Sequence, residues 1–395
     1  MPHPPPPAWM PGLRRRALLG QGLGAVVGLG TAPRSHAQGT VGVNALRIRV
    51  GQSAVFSGAA QDFGIDYRAG IQLGFDRANK AGGVAGRRLD LVSHDDAYEP
   101  KRTVDNTVRL IDDDRVFALI GFVATGNLAA ALPVAEKSGV PMFAPLVGTT
   151  SFRQFHPLLI HVRASYELEL RKILGHLSAV GVKEIAVVYQ DSPFGKANLD
   201  TSEAIARAMS IEVRLSLPMD IAATDAQSQS DALREAAPGA VLMLMAGRMV
   251  EVFLKDYRAS PLAAPIYTLS AAVHDAPGVA QRLEGKLGGV VTSRVVPSPR
   301  QTRYAIVADY QRDRKQFGQP IDSYTALEGY IAARVFTEGL RRVGRELDRE
   351  RFVRAIEDLG TTSVAGFPVS YGPRNHNGSR FVSLEMYTRD GGLVR

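Results

Sequence analysis

The chain has 395 residues, of which 45% are hydrophobic and 22% charged, enough apolar material for a large core spread over two or three domains. It has no cysteine, which excludes disulfides, thiolate metal sites and a cysteine nucleophile. The formal net charge is +8, but four of the arginines lie in the first 37 residues, and the remaining positive excess is mild and evenly spread. We therefore expect no nucleic-acid partner.

The first 37 residues have the composition of an export signal rather than of a folded domain. Arginines at 14–16 precede Ala-Leu-Leu and a weakly apolar, glycine-rich run, and residues 35–37 (Ser-His-Ala) suit a signal peptidase. The Arg-Arg-Ala-Leu-Leu order favours a twin-arginine signal, with general secretion as the alternative. An inner-membrane anchor is disfavoured because the run is too short and glycine-rich to span the bilayer. We predict cleavage after Ala37, with Met1 or Met10 as the initiator, and a soluble mature protein.

From Leu46 onward, strands and helices alternate, which predicts an α/β fold with a doubly wound parallel sheet. Apolar residues between Ile71 and Ala78 recur at helical spacing, and Gly82-Gly83 ends that helix because glycine takes the left-handed cap without penalty. A loop is predicted over 52–64. The predicted strands are 47–51, 88–93, 116–121 and 140–144, and the predicted helices are 67–81, 101–113 and 127–138.

The same pattern then restarts, which predicts a second lobe of similar build. Three helices and two β segments, at 304–317, 324–343, 349–359, 367–371 and 381–388, follow the second cycle. The predicted elements of that cycle are helices 166–180, 195–209, 225–236 and 250–259, and strands 184–190, 212–217, 240–245, 266–269 and 289–295.

The search for catalytic motifs is mostly negative. No G-x-S-x-G elbow, P-loop or H-E-x-x-H sequence is present in the chain beyond the signal segment. His156 and His161 are five positions apart with a proline between them and the other histidines are scattered, so a metal site is possible but disfavoured. Asp95-Asp96 could serve a function, whereas Asp112 to Asp114 has the character of a solvated helix end. We expect no enzyme activity, no metal and no cofactor.

Two strand-to-helix junctions have the chemistry of a ligand site. In open α/β sheets ligands collect beyond the carboxyl ends of strands, where helix N-termini attract anions. Two segments, Gly121–Asn127 and Pro145–Ser151, follow predicted strands and contain hydroxyl side chains, so both suit a carboxylate. Asn127, Thr149 and Ser151 could equally be simple helix caps. Aromatic residues that could line an apolar pocket, or belong to the ordinary core, are Phe56, Phe63, Tyr166, Phe194 and Tyr324. Phe63 and Phe194 are predicted to lie beside glycines in loops.

From residue 46 to the end, the chain resembles the type I periplasmic binding proteins of the branched-chain amino-acid receptor group. The most specific segments are 51–64, 79–100, 120–125, 139–145 and 371–384. The resemblance implies two Rossmann-like lobes joined by three hinge crossovers, near Arg163, Val295 and Arg380. Lobe 1 is then 45–162 plus 296–379, and lobe 2 is 163–295 plus 380–395.

Such a receptor is a periplasmic monomer that captures its ligand between closing lobes and offers it to an ABC permease and ATPase. The same fold also serves ligand sensors that signal to a regulatory partner, and a periplasmic enzyme is a third alternative. A neighbouring gene for a permease or for a sensor kinase would separate the first two.

Family roles carry over by position. The first-lobe carboxylate anchor falls on 123–125 and 147–149, the covering aromatic on Phe63 and the second-lobe aromatic on Phe194. The family's disulfide pair falls on Tyr98 and Ala124, so that bridge is absent. The predicted ligand-binding residues are Phe63, Val123, Ala124, Thr125, Val147, Gly148, Thr149, Tyr166, Phe194, Ser270, Ala271 and Tyr324.

The main departure from the family is the second-lobe acid that holds a ligand ammonium. Its position falls within 269–273, which contains no carboxylate, and its partner tyrosine falls near 246–248. A buried ammonium without a counter-charge is costly. Either Asp191 or Asp275 replaces the acid, or the ligand is not an α-amino acid. We favour a small carboxylate with an apolar or aromatic body, with Arg248 as a second anion contact.

Overall fold

The structure is a computed structural model that describes residues 40–394 except 59, 262, 274 and 275. The predicted signal segment, its cleavage point, both candidate initiators and Asp275 lie outside the described residues. Within them, no helix combines the length and the apolarity that crossing a bilayer requires.

The first sheet is built from strands that alternate with helices. Its order is β2-β1-β3-β4-β5, and every neighbouring pair is parallel. A short 3₁₀ turn, Thr150–Phe152, precedes the last strand. The elements are β1 (Arg47–Ala54), α1 (Gln61–Lys80), β2 (Arg88–Asp95), α2 (Pro100–Asp112), β3 (Ala118–Ile120), α3 (Thr125–Lys137), β4 (Met142–Phe143) and β5 (Leu159–Ile160).

The chain then repeats this arrangement. The elements are α4 (Tyr166–Ala179), β6 (Glu184–Gln190), α5 (Pro193–Ala208), β7 (Glu212–Met219), α6 (Ala226–Ala236), β8 (Ala240–Leu244), α7 (Arg248–Tyr257), β9 (Ile266–Thr268), α8 (Ala276–Arg282) and β10 (Val291–Arg294). Strands β7-β6-β8-β9-β10 are parallel and lie in the same relative order as the strands of the first sheet. The two cycles predicted from the sequence are therefore two sheets of equivalent topology.

The remaining chain adds two strands to the second sheet and a separate hairpin. Strands β13 and β14 extend the second sheet as antiparallel neighbours of β10, and β11 and β12 form a separate hairpin. The elements are α9 (Ala305–Phe317), α10 (Tyr324–Val343), α11 (Arg349–Glu357), β11 (Thr361–Val364), β12 (Phe367–Ser370), β13 (Ser383–Tyr387) and β14 (Leu393–Val394).

Helix α10 returns to the first sheet and packs tightly against α1. A Cβ atom on Gly70 would lie 1.9 Å from the carbonyl oxygen of Ala326, and one on Gly329 would lie 2.3 Å from that of Tyr67. Only glycine allows the two backbones to approach this closely. Side chains from α1 and α10 share one apolar core with Ala118 and Ile120 of β3, while Leu119 faces α2 and α3 on the other side of the sheet.

The predicted fold class is confirmed, but several element bounds differ from the prediction. The predicted loop over 52–64 is wrong over most of its length, because β1 pairs with β2 as far as Ala54 and α1 already begins at Gln61. Phe63 and Phe194 accordingly lie in the first turns of α1 and α5, not in loops. The short elements β5, α8, β11 and β14 were not predicted, since two to seven residues carry too little periodicity. The lobe boundaries and the three crossovers stay predictions.

Candidate functional site

Residues that follow strands of both sheets border one cavity of about 60 Å³. Polar and aromatic side chains converge on it, which is the usual character of a small-molecule site. Nine of the twelve predicted ligand-binding residues line it: Phe63, Val123, Ala124, Thr125, Tyr166, Phe194, Ser270, Ala271 and Tyr324. Lining residues that were not predicted as ligand contacts are Tyr98, Leu146, Arg163, Ala246, Arg294, Val295, Val296, Thr325 and Glu328.

The N-terminus of α3 opens onto this cavity. Its N-cap residue, Ala124, has φ 77° and ψ 139°, and no side chain caps the helix. The Asn127 amide, which could have been a cap, instead donates to Thr103 Oγ1 at 2.8 Å. The first N–H groups of a helix have no partner within the helix and carry a partial positive charge. This helix end is therefore available to an anion.

The segment Val147–Thr149 lies behind the cavity wall and does not line it. The Thr149 hydroxyl is buried and lies 2.8 Å from the Thr125 hydroxyl. The Gly148 carbonyl accepts the Tyr166 N–H at 2.7 Å, and a Cβ on Gly148 would lie only 2.6 Å from the Tyr166 ring. These residues hold Thr125 and Tyr166 in place.

Aromatic side chains form much of the apolar wall. The rings of Tyr166 and Phe194 meet edge to face with their centroids 5.4 Å apart. Phe63, Tyr98 and Tyr324 also face the cavity. Tyr98 occupies the position where the resemblance places a cysteine, and its backbone is left-handed, with φ 68°. This wall suits an apolar or aromatic body on a ligand.

A buried charged cluster lies on the inner side of the cavity. Glu169 is fully buried and accepts hydrogen bonds from the Ser270 N–H (2.9 Å), the Ser270 hydroxyl (3.1 Å), the Ser293 hydroxyl (2.5 Å) and Arg163 Nη2 (3.3 Å). Arg163 Nη2 also donates to the Ser270 hydroxyl at 2.7 Å. Ser270, predicted as a ligand contact, is thus already engaged with both charged groups.

Glu328 is the second acid beside Arg163, and it is much less well satisfied. Its side chain is buried, and its Oε1 atom has no hydrogen-bond partner among the described residues, although Arg163 Nε lies 3.4 Å away. Burial raises the pKa of Glu328; Arg163 acts to lower it and Glu169 to raise it further.

Arg294 brings a second guanidinium to the cavity. It is 4% exposed, its guanidinium carbon lies 4.3 Å from the centroid of the Tyr324 ring, and it donates to the Tyr387 hydroxyl. Within the part of the chain that the structure describes, its Nε atom has no hydrogen-bond partner. Tyr324 is in turn fixed by donating to Glu385 at 2.6 Å. A positive charge on a rigid support therefore faces the cavity.

Sequence reasoning missed Glu328 and Arg294 and assigned Arg163 only to a crossover. Their one local signal is a charged residue inside an otherwise apolar run. Conversely, Arg248 and Asp191 do not line the cavity: Arg248 is exposed at the start of α7, and Asp191 is exposed and pairs with Lys196 at 2.6 Å. Nowhere in the described chain do three or more His, Asp or Glu side chains gather as a possible metal site.

Most of the chain matches one known protein family. Residues 47–388 match the model of a family described as periplasmic binding protein. The Leu/Ile/Val-binding protein homolog 7 of Brucella abortus is 25% identical over 369 residues, which are 88% of this chain and 90% of that protein. An amino acid binding protein of Pseudomonas aeruginosa is 31% identical over 133 residues, and this match spans only 34% of the chain and 33% of the relative.

Solved structures show the same architecture. A substrate-binding periplasmic protein from Ralstonia solanacearum is 28% identical with a TM-score of 0.81, over 88% of this chain and 99% of that one. A solute-binding protein of an ABC transporter from R. palustris, in complex with benzoate, has a TM-score of 0.77 at 19% identity, covering 88% and 95%. A branched-chain amino acid ABC transporter protein from Thermus thermophilus with bound valine has a TM-score of 0.80 at 17% identity, covering 89% and 96%. The last two likenesses concern the fold alone.

Proposed function

The chain belongs to the periplasmic binding protein family, and on that premise we propose that it captures a small carboxylate-bearing solute for an ABC importer. The family makes it a receptor for small ligands with a periplasmic location. The finer claims are that its ligand is an acid, that it delivers this ligand to a permease and an ATPase, and that it acts as a monomer. Export by the predicted signal, cleaved after Ala37, belongs to the same proposal.

The observation that carries the acid preference is the convergence of two anion-attracting groups on one cavity. The uncapped N-terminus of α3, with the Thr125 hydroxyl beside it, lines the same space as Arg294. Helix N-termini bind carboxylates through free N–H groups, and a buried guanidinium adds a charge-assisted hydrogen bond. A ligand carboxylate would bring an acceptor to the buried Arg294 guanidinium, whose Nε has no hydrogen-bond partner among the described residues.

The rest of the wall selects the body of the ligand. Phe63, Tyr166, Phe194 and Tyr324 supply aromatic surface, and Val123 supplies an aliphatic side chain. Both an amino acid with an apolar side chain and an aromatic or aliphatic acid satisfy this wall. Valine and benzoate, bound to two proteins of the same fold, illustrate that the fold takes either kind.

The two sheets support capture of the ligand by lobe closure. The cavity is bordered by Thr125 after the first sheet and by Ala246 and Ser270 after the second, so moving the sheets apart about the predicted crossovers would open it. Ligand then stabilises the closed form by its higher affinity for that form. A permease that recognises the closed surface would receive only loaded receptor.

A thermal-shift screen tests the ligand class. The panel pairs amino acids with aromatic and aliphatic acids, and each acid with its primary amide. A ligand at 100 times its Kd stabilises the folded state by about 2.7 kcal/mol. We expect acids to shift the unfolding temperature and their amides not to shift it. Stabilisation by amides as strong as by acids would refute the carboxylate preference.

The importer role needs a cellular measurement. Uptake of the radiolabelled acid should fall in cells that lack the gene and recover on complementation. Bound acid should also be recovered chemically unchanged, as expected of a receptor that performs no reaction. Normal uptake without the gene would argue instead for a sensing role.

A further inference from the structure

Glu328 is a cavity-lining acid that the resemblance assigns to no function. It lies in α10, among residues that pack in the core of the first sheet, and its side chain reaches the cavity. Among the described residues that line this cavity, it is the only carboxylate.

Glu328 forms an ion pair with Arg163, but its Oε1 atom accepts no hydrogen bond from the described residues. Arg163 directs its Nη2 hydrogen bonds to Glu169 and Ser270, and its Nε lies 3.4 Å from Glu328 Oε1 without forming a hydrogen bond. Glu169, by contrast, accepts from Ser270, Ser293 and Arg163. A buried carboxylate oxygen without a donor is costly, so a donor brought by the ligand would gain the most at Glu328.

We propose that Glu328 binds a positively charged N–H group of the ligand, so that the preferred solutes are carboxylic acids that carry an amine. This inference rests on the proposed function, because it adds a second charged contact to the same acid-binding cavity. It places the counter-charge on α10, not in 269–273 or at Asp191. It also reverses the preference for amine-free acids that the missing carboxylate in 269–273 suggested.

Other groups that could bind at Glu328 fit the surroundings less well than an ammonium. A second carboxylate on the ligand would be repelled by both Glu328 and the nearby Glu169. A metal ion requires several acidic or imidazole ligands, and the described residues contain no such cluster. A quaternary ammonium has no N–H and would leave Glu328 Oε1 without a donor. A primary or secondary ammonium supplies both the charge and the hydrogen bond.

The test compares acids that differ only in an amine. Isothermal titration gives Kd for leucine against 4-methylpentanoate, phenylalanine against 3-phenylpropanoate, and 5-aminopentanoate against pentanoate. The third pair allows an amine placed far from the carboxylate. In at least one pair we expect the amine-bearing acid to bind at least roughly 30-fold more tightly, the lower range for a desolvated charge pair.

Substitutions test whether Glu328 causes the preference for amine-bearing acids. Glu328→Gln should weaken binding of the amine-bearing acid at least roughly 30-fold and change Kd of its amine-free partner little. Glu328→Asp keeps the charge at a shorter reach and should retain part of the preference. Glu338→Gln makes the same chemical change on α10 outside the cavity and should change neither Kd, since Glu338 pairs with Arg342.

The outcomes distinguish a failure of the Glu328 inference from a failure of the proposed function. If amine-free acids bind as tightly as their amine-bearing partners, or if Glu328→Gln weakens both equally, Glu328 is only structural and the inference fails. If no acid of either kind binds, the proposed function fails first. Circular dichroism of each unliganded variant checks folding. Should Glu328→Gln not fold, Glu328→Asp decides, because a loss confined to the amine-bearing acid supports the contact and an equal loss overturns it.

Discussion

Substituting Gly148 by alanine tests the idea that residues behind the cavity control its shape. The added Cβ would lie 2.6 Å from Tyr166 Cδ1 and 2.8 Å from two further ring atoms. These distances are well below van der Waals contact, and the backbone of Gly148 is not left-handed, so the closest conflict is with the ring. Either the ring or the segment that contains Gly148 has to move by several tenths of an ångström.

The surroundings direct this movement into the cavity. The Tyr166 N–H is hydrogen-bonded to the Gly148 carbonyl at 2.7 Å, Phe194 packs against the ring edge to face, and the Arg163 guanidinium lies 5.2 Å from the ring centroid. The open side of the ring is the cavity of about 60 Å³. Overpacking of this kind costs about 1–3 kcal/mol. If the ring enters ligand space, Kd should rise about tenfold to a hundredfold, since 1.4 kcal/mol is tenfold.

Titration calorimetry with the acid that gives the largest thermal shift measures this effect, and urea denaturation gives the free energy of unfolding. Gly175→Ala is the matched control. It lies in α4 with Tyr166, and beyond its own helix no atom of the described residues lies within 4 Å of the added Cβ. The substitution should stabilise the helix by about 0.5–1 kcal/mol with Kd unchanged. A Gly148→Ala protein that binds the acid normally would show that the ring does not enter ligand space.

Three further predictions address individual groups. Thr125→Val should raise Kd for the acid about tenfold, because the hydroxyl that lines the cavity beside the α3 N-terminus is lost and valine cannot donate a hydrogen bond to the ligand; Thr125→Ser should retain binding in the same titration. Arg294→Gln should weaken binding of the acid at least roughly 30-fold and narrow its advantage over the amide; equal affinity of wild type and variant for the acid would remove Arg294 from the site. The third concerns pH. Burial raises the pKa of Glu328 above its ordinary value of 4.5, so the folded chain holds this proton more tightly than the unfolded chain. Its contribution to the free energy of unfolding is therefore greatest at low pH and is lost as pH rises through the folded-state pKa. The charged groups that act on Glu328 are Arg163, Glu169 and Arg153. Urea denaturation between about pH 4.5 and 8 should show wild type losing stability relative to Glu328→Gln as pH rises; parallel curves would contradict the assigned shift.

Local signals in the sequence were sufficient for the fold and for one part of the site. Gly82-Gly83 stops α1 in left-handed conformations, with φ 93° and 74°, as the pattern predicted. The strand-to-helix junction after β3 could also be recognised in the sequence. A strand followed by Gly121 and hydroxyl residues marks the carboxyl end of a parallel strand, whatever the position of the other strands. Periodicity and turn chemistry act over a few residues, so they can be recognised without knowing the tertiary structure.

The charged half of the site depended on contacts that no local pattern contains. Arg163 meets Glu328 across 165 positions of the chain, and Glu169 meets Ser293 across 124. In the sequence Glu328 lies within an apolar helix and Arg294 ends an ordinary strand, and nothing nearby indicates that both face one cavity. The sequence alone determined two α/β cycles and an anion-attracting helix end. Only the tertiary structure decided which charges face the ligand, because packing α10 against α1 carries Glu328 to the strand ends of both sheets.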